Sequence, residues 1–221
     1  MDAIVQGTPE WHAVRLGKVT ASRVADVVAR TKTGPSASRA NYMADLIAER
    51  LTGEAREGFK SAEMQWGNDH EQAARAAYQF HANRRVEQVG FVPHPTIGMT
   101  GASPDGLVGD DGLVEIKCPN TATHLDTLLG DAVAGKYVTQ MQWQMACTGR
   151  AWCDFASFDP RLPEPMQLFV RRVSRDEKHI AELQQSVMEF LTDLAMKEHQ
   201  LRRKFGMDAS IAEVESLLMA G

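Results

Sequence analysis

Near residue 85 the chain changes its spacing, and that change fixes the class of fold open to it. Up to about residue 82 apolar residues recur at helical intervals; beyond it come strand-length runs punctuated by Pro and Gly. Residues 86–92 read as a strand. Residues 99–103 and 105–108 read as a second strand segment interrupted by Pro104, because proline has no N–H to give to a sheet. Asp110-Asp111-Gly112 signals a tight turn, and 113–117 is a short strand ended by Pro119. Helices over about 122–129 and 137–147 follow, then strands over 152–158 and 167–173, and a long helix over about 176–205.

The first third reads as helical. Thr8 is placed to cap a short helix with Pro9 at its first position, where the missing N–H costs nothing, and Gly17 stops it. Ser22 is placed to cap a second helix through Val24, Val27 and Val28. A third covers about 39–51, with Tyr42, Leu46 and Ile47 on one face and Gly53 as its stop, after a Gly-, Pro- and Ser-rich loop over 33–38. A longer helix from about 61 to 82 carries Met64, Trp66, Glu71 and Tyr78. Helices on both sides of a few short strands give an α/β fold, a small mixed β-sheet flanked by helices. One domain is expected across 1–221, with a short amphipathic extension over about 207–221 (Ile211, Val214, Leu217, Leu218).

A hydrophobic share of 43% over 221 residues suffices for a buried core and is too high for a disordered chain. No apolar run is long enough to cross a bilayer, and the start, MDAIVQGTPEW, lacks the pattern of a secretory signal. Three cysteines without a CxxC pair argue against a disulfide framework or a zinc site; a reducing cytoplasm is expected. The net charge of -5 does not favour a nucleic-acid partner. Its distribution does: Arg15, Lys18, Arg23, Arg30, Lys32 and Arg39 face a single acid, Asp26, between Trp11 and Asn41. A local basic stretch attracts phosphate because screening confines the interaction to roughly 8–10 Å. A solvated helix face without a partner would show the same charges.

The chemistry concentrates in SPDG at 103–106 and VEIKCP at 114–119. Side chains alternate along a strand, so Glu115 and Lys117 share a face while Ile116 points to the core. The turn after Asp105 can bring its carboxylate beside Glu115. Two adjacent carboxylates raise each other's pKa unless a cation lies between them. Oxygen ligands suit a hard ion, Mg2+ or Mn2+, which keeps most of its waters and needs few protein ligands. Asp105, Glu115 and the Ile116 carbonyl supply them, and Glu71 on the preceding helix offers a further carboxylate, directly or through water. Lys117 would orient the attacking water or offset charge on a phosphate. Each short pattern alone is common on ordinary surfaces.

These residues resemble a PD-(D/E)xK nuclease: Pro104-Asp105, then Glu115-Ile116-Lys117. More closely, the chain resembles the lambda-type (YqaJ-like) phage recombination exonucleases in EWHAVRLGKVTAS at 10–22, WGNDHE at 66–71, SPDGL at 103–107, VEIKCP at 114–119, YVTQMQW at 137–143 and FDPR at 158–161. The order and spacing fit over about residues 8–205. The resemblance implies a restriction-endonuclease-like core and a Mg2+-dependent 5′-to-3′ exonuclease that digests one strand of linear double-stranded DNA, leaving a 3′ overhang. It further implies a ring-shaped homotrimer around the DNA and, as partner, a phage single-strand annealing protein. By the same resemblance Asp105, Glu115 and the Ile116 carbonyl match the metal ligands, Glu71 a helix carboxylate at the metal, and Lys117 the catalytic lysine. Gln140 matches a glutamine near the scissile phosphate, and Arg15 an arginine on the terminal 5′ phosphate with Ser22 beside it.

Ser22 reads equally as a plain N-cap; a surface side chain is the lesser reading of Arg15, and a polar helix face that of Gln140. Trp11 and Trp66 are expected in the core. The chain departs from the family at NTATHLD, where Thr123 lies near an expected arginine. A restriction-like endonuclease on the same core, or a non-catalytic protein that binds DNA ends in recombination, are the other readings.

Overall fold

The computed structural model describes residues 4–32, 34–55 and 62–207. Its elements are α1 (Pro9–Arg15), β1 (Val19–Thr20), α2 (Val24–Val28), β2 (Arg30–Thr31), β3 (Gly34–Pro35), α3 (Ala37–Thr52), α4 (Ala62–Ala82), β4 (Val86–Glu87), β5 (Val92–Pro93), β6 (Thr100–Ala102), β7 (Gly106–Val108), β8 (Gly112–Lys117), α5 (Thr121–Gly130), α6 (Gly135–Thr148), β9 (Trp152–Phe158), β10 (Leu168–Ser174) and α7 (Glu177–Lys204). The central sheet has five strands in the order β10-β9-β8-β7-β4. Strands β8 and β9 run parallel and the other neighbours antiparallel. A parallel pair cannot be joined by a hairpin, and α5 and α6 form its crossover. A second sheet, β1-β6-β5, and the small β2-β3 pair complete the strands among the described residues.

The alternation expected for 113–117 is present, and both faces of β8 are covered. Val114 and Ile116 pack with Ala74 and Tyr78 of α4, together with Val108, Trp152, Ala156 and Phe158. Leu113 packs on the other face with Met141 and Met145 of α6, Cys153 and Phe155. A third cluster joins α2, α3 and α7 through Val24, Leu46, Leu183 and Phe190, with Trp143 reaching into it from α6. Each large apolar side chain removed from water adds about 1.5–3 kcal/mol. The buried Asp154 is satisfied by a bidentate Arg172 at 2.8 and 2.9 Å and by the Tyr78 hydroxyl at 2.8 Å, which ties α4 to β9 and β10.

Two glycines are required by close approach. A Cβ on Gly106 would lie 2.0 Å from Val86 Cγ1, and one on Gly112 2.1 Å from Trp152 Cζ2. Gly112 thus begins β8 and makes room for an indole, while the left-handed turn residue is Gly109, at φ 58°.

Most boundaries follow the sequence, and the exceptions have identifiable causes. The expected strand over 86–92 is split: β4 joins the central sheet and β5 the second one. The chain between them is occupied by the N-terminal segment, since Gln6 donates to the carbonyls of Val89 and Pro104 at 2.8 and 2.7 Å and the Ile4 backbone lies against Gly90. Ser22 does not cap α2; it lies in the 3-10 turn Ala21–Arg23, its hydroxyl 3.4 Å from that of Thr20, and no side chain caps that helix. The expected loop over 33–38 instead holds β3, and α3 starts at Ala37 under a Ser36 cap. Trp11 and Trp66 are only half-buried and belong to none of the three core clusters. The tail expected to be amphipathic lies, from 208 onward, outside the described residues. Among those described, no helix is long and apolar enough to cross a membrane.

Candidate active site

Pro104 is where the chain leaves the second sheet for the central one, so Asp105 stands at the mouth of the β7–β8 hairpin. Gly106 pairs with Val114, which sets Asp105 opposite Glu115 one step further along. One oxygen of Asp105, Oδ2, accepts the Ile116 N–H at 2.6 Å and is thereby pinned to β8. Glu115 is 1% exposed. Its Oε1 accepts from Gln140 Nε2 at 2.6 Å and lies 2.5 Å from Lys117 Nζ, while its Oε2 accepts from Gln144 Nε2 at 2.6 Å. Both glutamines come from α6, one turn apart on the face turned toward the sheet. Lys117 Nζ also lies 5.4 Å from the centre of the Tyr137 ring. The two strands and α6 thus bring Asp105, Glu115, Lys117, Gln140 and the Ile116 backbone together.

The electrostatics follow from burial. Desolvation, then repulsion from Glu115, pushes the Asp105 carboxyl well above the ordinary carboxylate range; Lys117 and the Ile116 N–H offset this only in part. Burial works against the Lys117 charge, but Glu115 and Asp105 outweigh it and raise its pKa above the ordinary lysine value. The two carboxylates thus favour the charged form of Lys117.

The third expected carboxylate is less close. Glu71 on α4 ion-pairs with Arg75, its neighbour one turn on, while its charge still reaches Asp105. Among the described residues no three His, Cys, Asp or Glu side chains form a ready-made metal-binding group. What the site presents is a pair of carboxylates on neighbouring strands, one of them tied to the Ile116 backbone N–H. A hard divalent ion fits it: the donors are oxygens, and a cation would offset the desolvation and the Glu115 repulsion that raise the Asp105 carboxyl. Asp105 keeps its second oxygen free of hydrogen bonds among the described residues.

Arg15 stacks on Trp11, its guanidinium carbon 3.6 Å from a ring centre, and the Trp11 indole N–H donates to Ser103 Oγ at 3.0 Å. The basic N-terminal stretch is thus anchored two residues before Asp105. Arg15 forms no ion pair among the described residues, and burial lowers its pKa to about 10. Arg23 and Arg39 are engaged, with Asp26 at 2.6 Å and Asp193 at 3.1 Å. Ser22 is exposed near Thr20, whose N–H donates to Tyr42 Oη at 3.1 Å.

Two features escaped the sequence reading. One is Gln144, whose only signal is its i+4 spacing from Gln140. The other is an arginine platform formed by FDPR. The fully buried Asp159 holds Arg161 by two hydrogen bonds of 2.7 and 3.0 Å; Arg161 also donates to the Pro119 carbonyl at 3.1 Å and lies 4.2 Å over the Trp66 ring. Burial alone would raise the Asp159 pKa, but these bonds, with help from Thr121, hold it down at about 2.

Residues 10–151, more than half of the chain, match the model of the YqaJ-like viral recombinase domain. The chain belongs to the YqaJ-like viral recombinase family. This YqaJ-like chain is 53% identical to LHK-Exo, a crystallised alkaline exonuclease from Laribacter hongkongensis; the match covers 91% of this chain and all of that one, at a TM-score of 0.85. LHK-Exo has also been crystallised with dAMP, and that structure matches equally well. A phage-related exonuclease from Haemophilus somnus 129PT shares the fold at 15% identity and a TM-score of 0.66, covering 88% of this YqaJ-like chain and 99% of that one. Comparison with curated proteins gives no match.

Proposed function

We propose that this chain is a divalent-metal-dependent deoxyribonuclease that digests one strand of linear double-stranded DNA from its 5′ end, leaving 3′ single-stranded overhangs for recombination. The observation that carries this reading is the convergence of Asp105, Glu115 and Lys117 at the mouth of one hairpin. The 53% identity to an alkaline exonuclease supports it. Asp105, Glu115 and the Ile116 carbonyl would hold Mg2+, or Mn2+ in its place, with Glu71 in reach through water. When bound, the ion would supply Lewis-acid polarisation of the scissile phosphate and a more acidic water. Lys117, held by Glu115, presents a fixed positive charge to the phosphate oxygens as charge builds on them. Gln140 closes the site on the α6 side. Arg15, half-buried and without an ion pair among the described residues, receives the terminal 5′ phosphate, with Ser22 beside it.

The same reading includes a ring-shaped homotrimer, a phage-type single-strand annealing protein as partner, and action in the cytoplasm of a bacterial host. A trimer is checked by light scattering, which should give three times the mass of the chain.

End-labelled linear duplex, digested with and without Mg2+, tests the activity. The expected result is Mg2+-dependent early release of the 5′ label, retention of the 3′ label, and faster processing of 5′-phosphorylated than 5′-hydroxyl ends. Efficient cutting of closed circles would assign a restriction-like endonuclease instead, and DNA-end binding without cleavage a non-catalytic recombination protein.

A further inference from the structure

We infer that Gln144 is a positioning residue for the metal: it fixes the one oxygen of Glu115 that remains open to a cation. The inference rests on the proposed metal-dependent function. A carboxylate offers about four lone-pair positions, two on each oxygen. Among the described residues three are filled at Glu115. Oε1 takes Gln140 at 2.6 Å and Lys117 at 2.5 Å, and Oε2 takes Gln144 at 2.6 Å. The remaining position is on Oε2, so a divalent ion that adds without expelling Lys117 or Gln140 adds there, in the direction that Gln144 sets.

The placement of Gln144 suits that role and no direct one. It is 0% exposed, so it does not reach DNA. Its own carbonyl oxygen lies 3.8 Å from Cys153 Sγ, which orients the amide with its N–H toward Glu115. The neighbouring buried glutamine does something else. Gln142 donates to the Ser174 carbonyl at 2.8 Å and accepts the Asp176 N–H at 3.0 Å, binding α6 to the start of α7. Gln140 and Gln144 thus serve the carboxylate, and Gln142 the scaffold. Partners of this kind, one bond removed from a metal, change affinity or activity by about 10–100-fold when lost.

The test is Gln144→Met, which keeps length and volume and removes the donor, set against Gln142→Met as the loss of a buried glutamine from the same helix. Mn2+ binding is measured by calorimetry on the full chain without DNA, and Mg2+ activation on linear duplex. Gln144→Met should weaken Mn2+ binding by about tenfold or more and raise the half-activating Mg2+ concentration in parallel. Excess Mg2+ should restore most of kcat, and KM for DNA should stay put. Gln142→Met should lower Tm without moving either metal constant. Gln144→Asn, which withdraws the amide by one methylene, gives a second reading where Met impairs folding. Unchanged Mn2+ affinity in the Gln144 variants, or a loss of rate that excess metal does not restore, overturns the inference. Weakened Mn2+ binding in a chain that cuts no DNA would uphold it while rejecting the nuclease reading; a wild type that binds no Mn2+ would reject both.

Discussion

Asp105→Asn should abolish DNA cleavage, by at least about 10²–10³-fold as when one charge-stabilising group leaves a site, and should raise the melting temperature of the metal-free protein. Both effects have one cause. Without a metal, the ionised Asp105 is desolvated and repelled by Glu115. Asparagine removes the charge and keeps a carbonyl oxygen to accept the Ile116 N–H. The sign follows from linkage. A carboxyl whose folded-state pKa is raised contributes stability that is fully present below the unfolded value, near 4, and is lost as pH rises through the folded value. The advantage of the variant should therefore appear at neutral and alkaline pH and vanish in acid. A gain of about 1 kcal/mol would move Tm by about 2–4 °C in a chain of this size. Thermal melts in EDTA at two pH values check it, and Mn2+ should stabilise the wild type more than the variant.

Lys117→Met should also abolish cleavage by about 10²–10³-fold, yet with the opposite effect on the metal-free fold. Lys117 is the only cation in direct contact with the Glu115 carboxylate among the described residues. Removing it leaves a buried charge held by two neutral amides. Breaking a buried pair in this way costs about 3–5 kcal/mol, and the lower end applies because the Lys117 side chain keeps 29% of its exposure. Added Mn2+ should recover much of that loss by supplying positive charge to the same carboxylate. Two inactive variants that move Tm in opposite directions distinguish a charged site from a merely well-packed one. Melting curves with and without Mn2+, beside a cleavage assay, suffice to see it.

The core of the site was legible because it is local. Asp105, Glu115 and Lys117 sit within one hairpin, and strand alternation alone decides that Glu115 and Lys117 share a face. Helices α3, α4 and α7 were legible from helical spacing, with Gly53 as the stop of α3. Most of what failed depended on distant chain. The split between β4 and β5 comes from residues 4–6 crossing at Val89 and Gly90, which nothing inside 86–92 announces. Gln144 looks like a polar position on a helix until Glu115, 29 residues earlier in the chain, is seen to receive it. Trp11 and Trp66 read as core by size, but each serves as a platform for an arginine, Arg15 and Arg161, at the margin of the site. Ser22 has the composition of a cap; the 3-10 turn that precedes α2 takes that place.

The most direct test is a crystal of the wild-type chain soaked in Mn2+, with the ion located by its anomalous scattering. One peak is expected roughly 2 Å from an oxygen of Asp105 and from Glu115 Oε2, lost in Asp105→Asn. No peak at this hairpin, or an ion bound only elsewhere on the chain, would contradict it.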